Sequence, residues 1–512
     1  MDLTRRQFIR KTAAGAAVLS VPLVLGTSVS RALALPAGEK MRAENYLEHF
    51  GVSTETMNAV MQTALSKGGD YCDLYFQHAI TNYVMLEDGA VNRAYTNVDL
   101  GVGIRVLKGD QTGYSFTEEL TDKSMKLAAA TASAIANGGK SLPPVQLAAL
   151  KTPDFYPIET SWEQVGIAQR IPHLQTINKR IFETDKRVIK ATVYLADVSS
   201  HVLVATSEGK LVYDYQPMTR LMAKCTAEQA GDREQGYFDL AGRRGIEFFT
   251  PATLERVSRE AVGRTVGLFE AVKPDAGEMP VVLAAGSSGI LLHEAIGHGM
   301  EADFNRKEVS IFADKIGKRV AEKFVNIIDD GTNPHVRGSI NIDDEANDSQ
   351  VTYLVKDGIL QSYLHDRISA THYKVAPTGS GRRQSFRYSP QPRMRNTYMT
   401  NGPHTRDEII ASVKKGILAE TFTNGQVFIG AGDFTFYVKT GYLIEDGKLT
   451  QPIKDINIIG NGPKVLEDVS MVANDFKMAE GGWTCGKNGQ GVPVSMGLPT
   501  IKVKAITVGG VS

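Results

Sequence analysis

Alternating apolar runs that break at a glycine recur along this chain, and they restrict its fold more than any other feature. YCDLYFQHAI begins at Tyr71, followed by YVMLEDGAV from Tyr83 and VGIRVLKGD from Val102. YLVKDGILQSYL at 353–364 and YLIEDGKLTQPI at 442–453 share a strand, acidic residue, glycine, strand pattern. Glycine accepts the positive φ of a tight hairpin turn, so each break predicts two antiparallel neighbours. The last two stretches resemble one another no more than ordinary hairpins do, and no internal repeat follows.

Helices alternate with these strands. Ser53–Lys67 reads as a helix capped by Ser53 or Thr54, and Asp122–Ala136 as a second. A third runs from about Glu163 to Thr184. Thr250-Pro251 supplies the cap and first turn of a fourth, whose apolar residues fall at helical spacing. The expected class is therefore α+β: antiparallel sheets with packed helices in the N-terminal and central parts, and a β-rich, Gly-rich, barrel-like C-terminal part. Prolines at 143, 144, 153 and 157 mark a connector, and Lys273-Pro274 marks another boundary. These predict domains at 35–140, 141–273 and 274–512, consistent with 512 residues being too many for one small core.

Residues 1–34 read differently. TRRQFIRK, Thr4–Lys11, precedes an apolar stretch interrupted by Gly15, Ser20, Pro22 and Gly26, where a spanning helix would want about 20 firmly apolar residues; an N-terminal membrane anchor is the alternative reading. The stretch ends in Ala32-Leu33-Ala34, a small-x-small cleavage pattern. The expectation is a removable signal peptide, with Arg5-Arg6 resembling a twin-arginine signal. Removal would take away five basic residues against one acidic residue, turning a formal net charge of +0 into −4. Neither value favours nucleic acid as a partner. The expected location is the periplasm, with no membrane attachment after cleavage. Cys72, Cys225 and Cys485 lie far apart; an oxidising compartment makes a Cys72–Cys225 disulfide possible and leaves one thiol over.

The chemistry-bearing motif is LLHEAIGHGMEAD, Leu291–Asp303. Two histidines and a glutamate suggest a hydrolytic metal site, in which imidazoles hold the ion and Glu294 takes a proton from metal-bound water. The spacing objects. At about 100° per residue, histidines four apart differ by about 40° and share a face, whereas His293 and His298, five apart, differ by about 140°. A single wide π-type turn would reunite them, and Gly297 would ease the distortion. A third ligand is needed. Glu301 and Asp303 follow on the same segment, and Cys485 lies in the glycine-dense loop GGWTCGKNGQG, where it could equally be a small buried residue.

Other groups carry less. His335, His365, His372 and His404 read as surface or core residues, and Asp343-Asp344-Glu345 as the cap or turn of a strand. Arg382, Arg383, Arg387, Arg393 and Arg395 could hold an oxyanion or a peptide terminus, or could serve loop structure or a subunit contact.

LLHEAIGHGMEADFNR, PTGSGRRQSFRYSPQPRMRNTYM at 377–399 and CGKNGQGVPVSMG at 485–497 together resemble the TldD/PmbA family of metallopeptidases. The resemblance implies that His293, His298 and Cys485 bind one divalent metal ion, zinc by preference, and that Glu294 is the catalytic base. It also implies a peptide or unfolded protein substrate bound as an extended strand, and a heterodimer with a related PmbA/TldE-type subunit lacking the metal motif. Cytoplasmic members have no signal peptide, so export sets this chain apart. The competing reading is a non-catalytic strand-binding subunit with a structural metal. Glu294 opposes it, because a closed structural site has no use for a base beside a ligand.

Overall fold

The computed structural model describes residues 43–136, 142–428 and 430–510. The expected signal peptide lies outside the described residues. Among them, no helix is long and apolar enough to cross a membrane.

After helices α1 (Ala43–Phe50) and α2 (Thr54–Leu65), three strands follow: β1 (Tyr71–Glu87), β2 (Ala90–Lys108) and β3 (Gln111–Thr117). Helix α3 (Asp122–Ala132) and, after the proline-containing segment, helix α4 (Ile167–Thr184) lead to strands β4 (Val188–Thr206), β5 (Lys210–Gln229) and β6 (Asp232–Gly242), and to helix α5 (Pro251–Val266). The six strands and the two-residue Ala148–Ala149 strand form one seven-stranded sheet; β1 joins its halves, pairing antiparallel with both β2 and β4. The capping readings hold: Ser53 accepts from Thr56 N–H, and Thr250 caps α5 with Pro251 in its first turn. Two helices are shorter than the pattern predicts. The second tightens into a 3-10 turn after Ala132, and Trp162–Gln164 is a separate turn ahead of α4.

Side chains alternate across β1, and this divides its surroundings. Cys72, Leu74 and Phe76 join the core beneath α2 and α3, whereas Val84 and Leu86 join the one beneath α4 and α5. Cys225 belongs to that second core, its Sγ 3.0 Å from Thr265 Oγ1. The possible Cys72–Cys225 disulfide is therefore not formed: both thiols are free, each in a separate apolar cluster. Asp73 and Tyr75 point the other way. Arg105 on β2 pairs with Asp73 and with Glu345, 2.7 Å away, while Arg383 Nη2 reaches Asp73 at 3.2 Å, all fully buried. Asp343, Asp344 and Glu345 do form the turn expected of them, between the bridged Ile342 and Asp348, with Asp343 Oδ1 accepting from the Glu345 and Asn347 N–H groups, and they are interior anchors as well; burial and the neighbouring Glu345 push the Asp343 carboxyl up to about 7.

From residue 277 the chain is β-rich. Strand β7 (Gly277–Leu283) starts a sheet containing three long strands, β12 (Lys415–Phe428), β13 (Asp433–Glu445) and β14 (Lys448–Asn461). Between them come β8 (Ile327–Asp330), β9 (Val351–Lys356), β10 (Ile359–Leu360) and β11 (Asn396–Met399); after them come β15 (Val469–Val472), β16 (Lys477–Met478), β17 (Thr484–Lys487), β18 (Gln490–Pro493), β19 (Ser495–Leu498) and β20 (Ile501–Gly510). Because β20 pairs with both β7 and β14, strands β7, β12, β13, β14 and β20 close into a barrel. A second sheet runs β10-β9-β8-β11-β19-β16. The hairpin turns are as the pattern predicts. Asp88-Gly89, Asp357-Gly358 and Asp446-Gly447 all adopt positive φ at both positions, the geometry that twisted antiparallel strands favour.

Candidate metal centre

Strand β7 exits the barrel through Gly286, whose φ of 102° suits only glycine, into a tight turn at Ser287–Gly289. Ile290, Leu291, Leu292, Ala295 and Ile296 bury themselves in the largest core cluster and fix the following helical segment against barrel strands. That segment is not a regular α-helix. His293–Gly297 is one turn of π-helix, in which His298 N–H donates to the His293 carbonyl five residues back. The wider turn offsets the five-residue spacing and brings the two imidazoles together, ring centroids 5.2 Å apart and nearly perpendicular.

Gly297 has a different task from the one expected. Its φ of −60° and ψ of −47° are ordinary for a right-handed helix, so no backbone freedom is used. A Cβ there would lie 2.1 Å from Met394 Sδ. Gly297→Ala is therefore expected to destabilise the protein by about 1–3 kcal/mol through overpacking. A shorter side chain at Met394, placed in the same protein, should recover part of the loss in urea midpoint.

Cys485 arrives from the hairpin β17–β18, a two-stranded sheet of its own. Its Sγ lies 3.3 Å from His298 Nε2, and ligand atoms of His293, His298 and Cys485 all fall within 4.8 Å of one another. All three residues are buried. Burial disfavours the charged forms, but two interactions outweigh it. The Glu301 carboxylate and the Cys485 sulfur raise the His298 pKa well above the ordinary histidine value, and His293 and His298 bring the Cys485 thiol well below its usual range.

The residues present suit a small divalent cation. Neither Nδ1 nor Nε2 of the buried His293 has a hydrogen-bond partner, a costly arrangement for an imidazole unless a lone pair meets something else. Two imidazoles and a thiolate form a donor set suited to zinc, whose bonds of about 2.0–2.3 Å a modest convergence of these atoms would satisfy. Glu294 stands apart from the three. Its side chain is 22% exposed, its carboxylate lies 3.8 Å from His298 Nε2, and it makes no hydrogen bond to another described residue.

Glu301, the other candidate for third ligand, is placed behind His298. Its Oε2 is 2.9 Å from His298 Nδ1 and 3.0 Å from Lys487 Nζ. Burial alone would raise the Glu301 carboxyl, yet Lys487 and His298 bring it down to about 2. Asp303 is likewise taken, 2.7 Å from Lys487 Nζ. Lys487 was not singled out in the sequence, although its place two residues after Cys485 puts both side chains on one face of β17.

The arginine run is structural. Arg393 donates to the carbonyls of Cys485 and Gln490, and Arg382 to those of Met394 and Pro493, so both brace the cysteine hairpin. Arg395 pairs with Asp329 at 2.7 Å inside the protein, and Arg387 pairs with Asp99 and Glu118. His365 is buried with Nδ1 unpartnered, and Asp366 beside it caps the Arg367–Tyr373 helix. His335 Nδ1 lies 3.1 Å from the Arg243 carbonyl, and His404 Nδ1 the same distance from that of Val472, neither near the centre.

Successive segments match the PmbA/TldA metallopeptidase domain 1 at residues 72–136, the central domain at 160–269 and the C-terminal domain at 276–510. A metalloprotease TldD homolog of Haemophilus influenzae is 39% identical over 466 residues, covering 90% of this chain and 97% of the relative. A zinc metalloprotease TldD homolog of Saccharolobus solfataricus is 28% identical over 452 residues, covering 86% and 97%. The fold is shared with TldE from Thermococcus kodakarensis, at a TM-score of 0.69 and 17% identity, over 89% of this chain and all of that one. The matched domains and the named relatives therefore make this a metallopeptidase, a hydrolase of peptide bonds. The chain belongs to the PmbA/TldD family.

Proposed function

We propose that this protein is a metal-dependent peptidase that hydrolyses peptides or unfolded protein segments presented as an extended strand, with His293, His298 and Cys485 as ligands of one zinc ion. The observation that carries this reading is the buried His293, with both ring nitrogens unpartnered, beside a Glu294 carboxylate whose one recorded contact is with His298 at 3.8 Å. When bound, such a cation supplies Lewis acidity to water and to the scissile carbonyl.

The chain's own residues supply the rest. Glu294, adjacent in sequence to one proposed ligand and 3.8 Å from another, would accept a proton from the attacking water and return it to the leaving amine. Its partial exposure lets substrate and water reach it, while burial of the three ligands keeps competing water away from them. Main-chain hydrogen bonds to a peptide held as a strand would provide affinity with little sequence preference. A related TldE-type subunit is the proposed partner, supported by the fold shared with a TldE. Export through the twin-arginine route is proposed from Arg5-Arg6 and suits a site whose parts meet only after folding.

The direct test combines metal analysis with peptide cleavage for the purified protein, alone and with a related subunit. One zinc per chain, cleavage abolished by a chelator and restored by zinc, is the expected result. Cleavage that survives complete metal removal would refute the reading.

A further inference from the structure

The two histidines are held very differently. His293 has no hydrogen-bond partner at either nitrogen, whereas His298 is fixed from behind through a buried chain of charges. His298 Nδ1 is 2.9 Å from Glu301 Oε2, and Lys487 Nζ is 3.0 Å from the same oxygen. Lys487 also donates to Asp303 Oδ1 at 2.7 Å and to the Pro392 carbonyl at 3.0 Å, so its ammonium is held by three groups at once. Side-chain exposure is 2% for Lys487 and 0% for Glu301, so neither is an incidental surface charge.

Each contact has a directional consequence. With Nδ1–H donating to Glu301, His298 must turn Nε2 toward Cys485 Sγ, 3.3 Å away, and a ring flip would cost the buried Glu301 one of its two partners. Lys487 lies on the same short strand as Cys485, so its grip on Glu301 and Asp303 also fixes the register of the hairpin that delivers the thiolate. One lysine thereby ties the local pair, His298 and Glu301, to a ligand 187 residues away.

We propose that Glu301 and Lys487 are positioning residues that pre-set His298 and Cys485 as a fixed half of the metal centre, leaving His293 as the half that adjusts on binding. The inference rests on the metal-centre reading, and it assigns to these two residues a role in metal affinity and retention. Removing Glu301 Oε2 frees the His298 ring. Removing the Lys487 ammonium leaves Glu301 buried with a single partner and loosens the hairpin.

The test uses metal-free full-length chain titrated with Zn²⁺ in competition with a chromophoric chelator, and with Co²⁺ to read the thiolate-to-cobalt charge-transfer band. Wild-type protein decides the underlying reading: absence of stoichiometric Zn²⁺ binding would overturn the metal centre and this inference with it. Given wild-type binding, Lys487→Met and the near-isosteric Glu301→Gln are each expected to weaken Zn²⁺ affinity about 10- to 100-fold and to diminish the cobalt–thiolate band. Lys487→Arg should restore much of both. A purely structural role predicts lower melting temperatures with unchanged affinity and spectrum in the folded fraction. That result, or wild-type affinity in Glu301→Gln, would overturn the proposal while leaving the metal centre intact. Should Lys487→Met fail to fold, Glu301→Gln and Lys487→Arg decide it alone.

Discussion

Replacing Glu294 by glutamine is expected to lower kcat for peptide cleavage by about 10²- to 10⁴-fold while leaving zinc content at the wild-type level. The amide keeps the size and polarity of the side chain but cannot accept a proton at neutral pH. Glu294 makes no hydrogen bond to another described residue, and His298, 3.8 Å away, keeps Glu301 and Cys485 as partners when the carboxylate is lost, so the fold should be undisturbed. A change confined to KM would show that Glu294 binds substrate without transferring a proton. Cleavage at the wild-type rate would remove it from the mechanism altogether. Metal content measured on the same preparation separates these outcomes from loss of the ion.

Cys485→Ser tests the other end of the centre. The hydroxyl is not ionised near neutral pH, so the site loses its only thiolate and the charge that balances His298. Zinc affinity is expected to fall by more than about 100-fold, beyond what loss of an outer hydrogen bond typically costs. Activity should disappear at ordinary metal concentrations and return in part at high zinc, with Glu294 intact. Unchanged zinc binding would mean that the third ligand lies elsewhere, although Glu301 and Asp303 are already committed to Lys487.

The parts that were legible in the sequence are those whose cause is local. Asp-Gly pairs announce hairpin turns because both residues tolerate positive φ, and the chain adopts them at Asp357-Gly358 and Asp446-Gly447. The spacing between His293 and His298 conflicts with an α-helix strongly enough to predict a wide turn, which the His293–Gly297 segment supplies. The reason given for Gly297 was nevertheless wrong, because the Met394 side chain that needs the space lies almost a hundred residues further on.

What was illegible depends on distant partners. An arginine such as Arg383 reads identically whether it awaits a substrate or is buried against Asp73, 310 residues earlier. The acidic triplet at 343–345 reads as the cap or turn of a strand, which it is, but its burial shows only once Arg105 is brought onto Glu345. Lys487 has a common residue type at an unremarked position, and only the β17 strand geometry places it beside Glu301. Closure of the barrel requires β20 to reach back to β7, a pairing that no local pattern announces.

That closure has a bearing on the order in which the site can be put together during synthesis. A nascent chain that has emerged only as far as residue 480 already carries both histidines and Glu294, yet has neither the thiol at 485 nor the strand at 501–510 that seals the barrel. The grouping of His293, His298 and Cys485 can therefore be completed only after the hairpin at 484–493 has been made, which puts its assembly late in the order of synthesis.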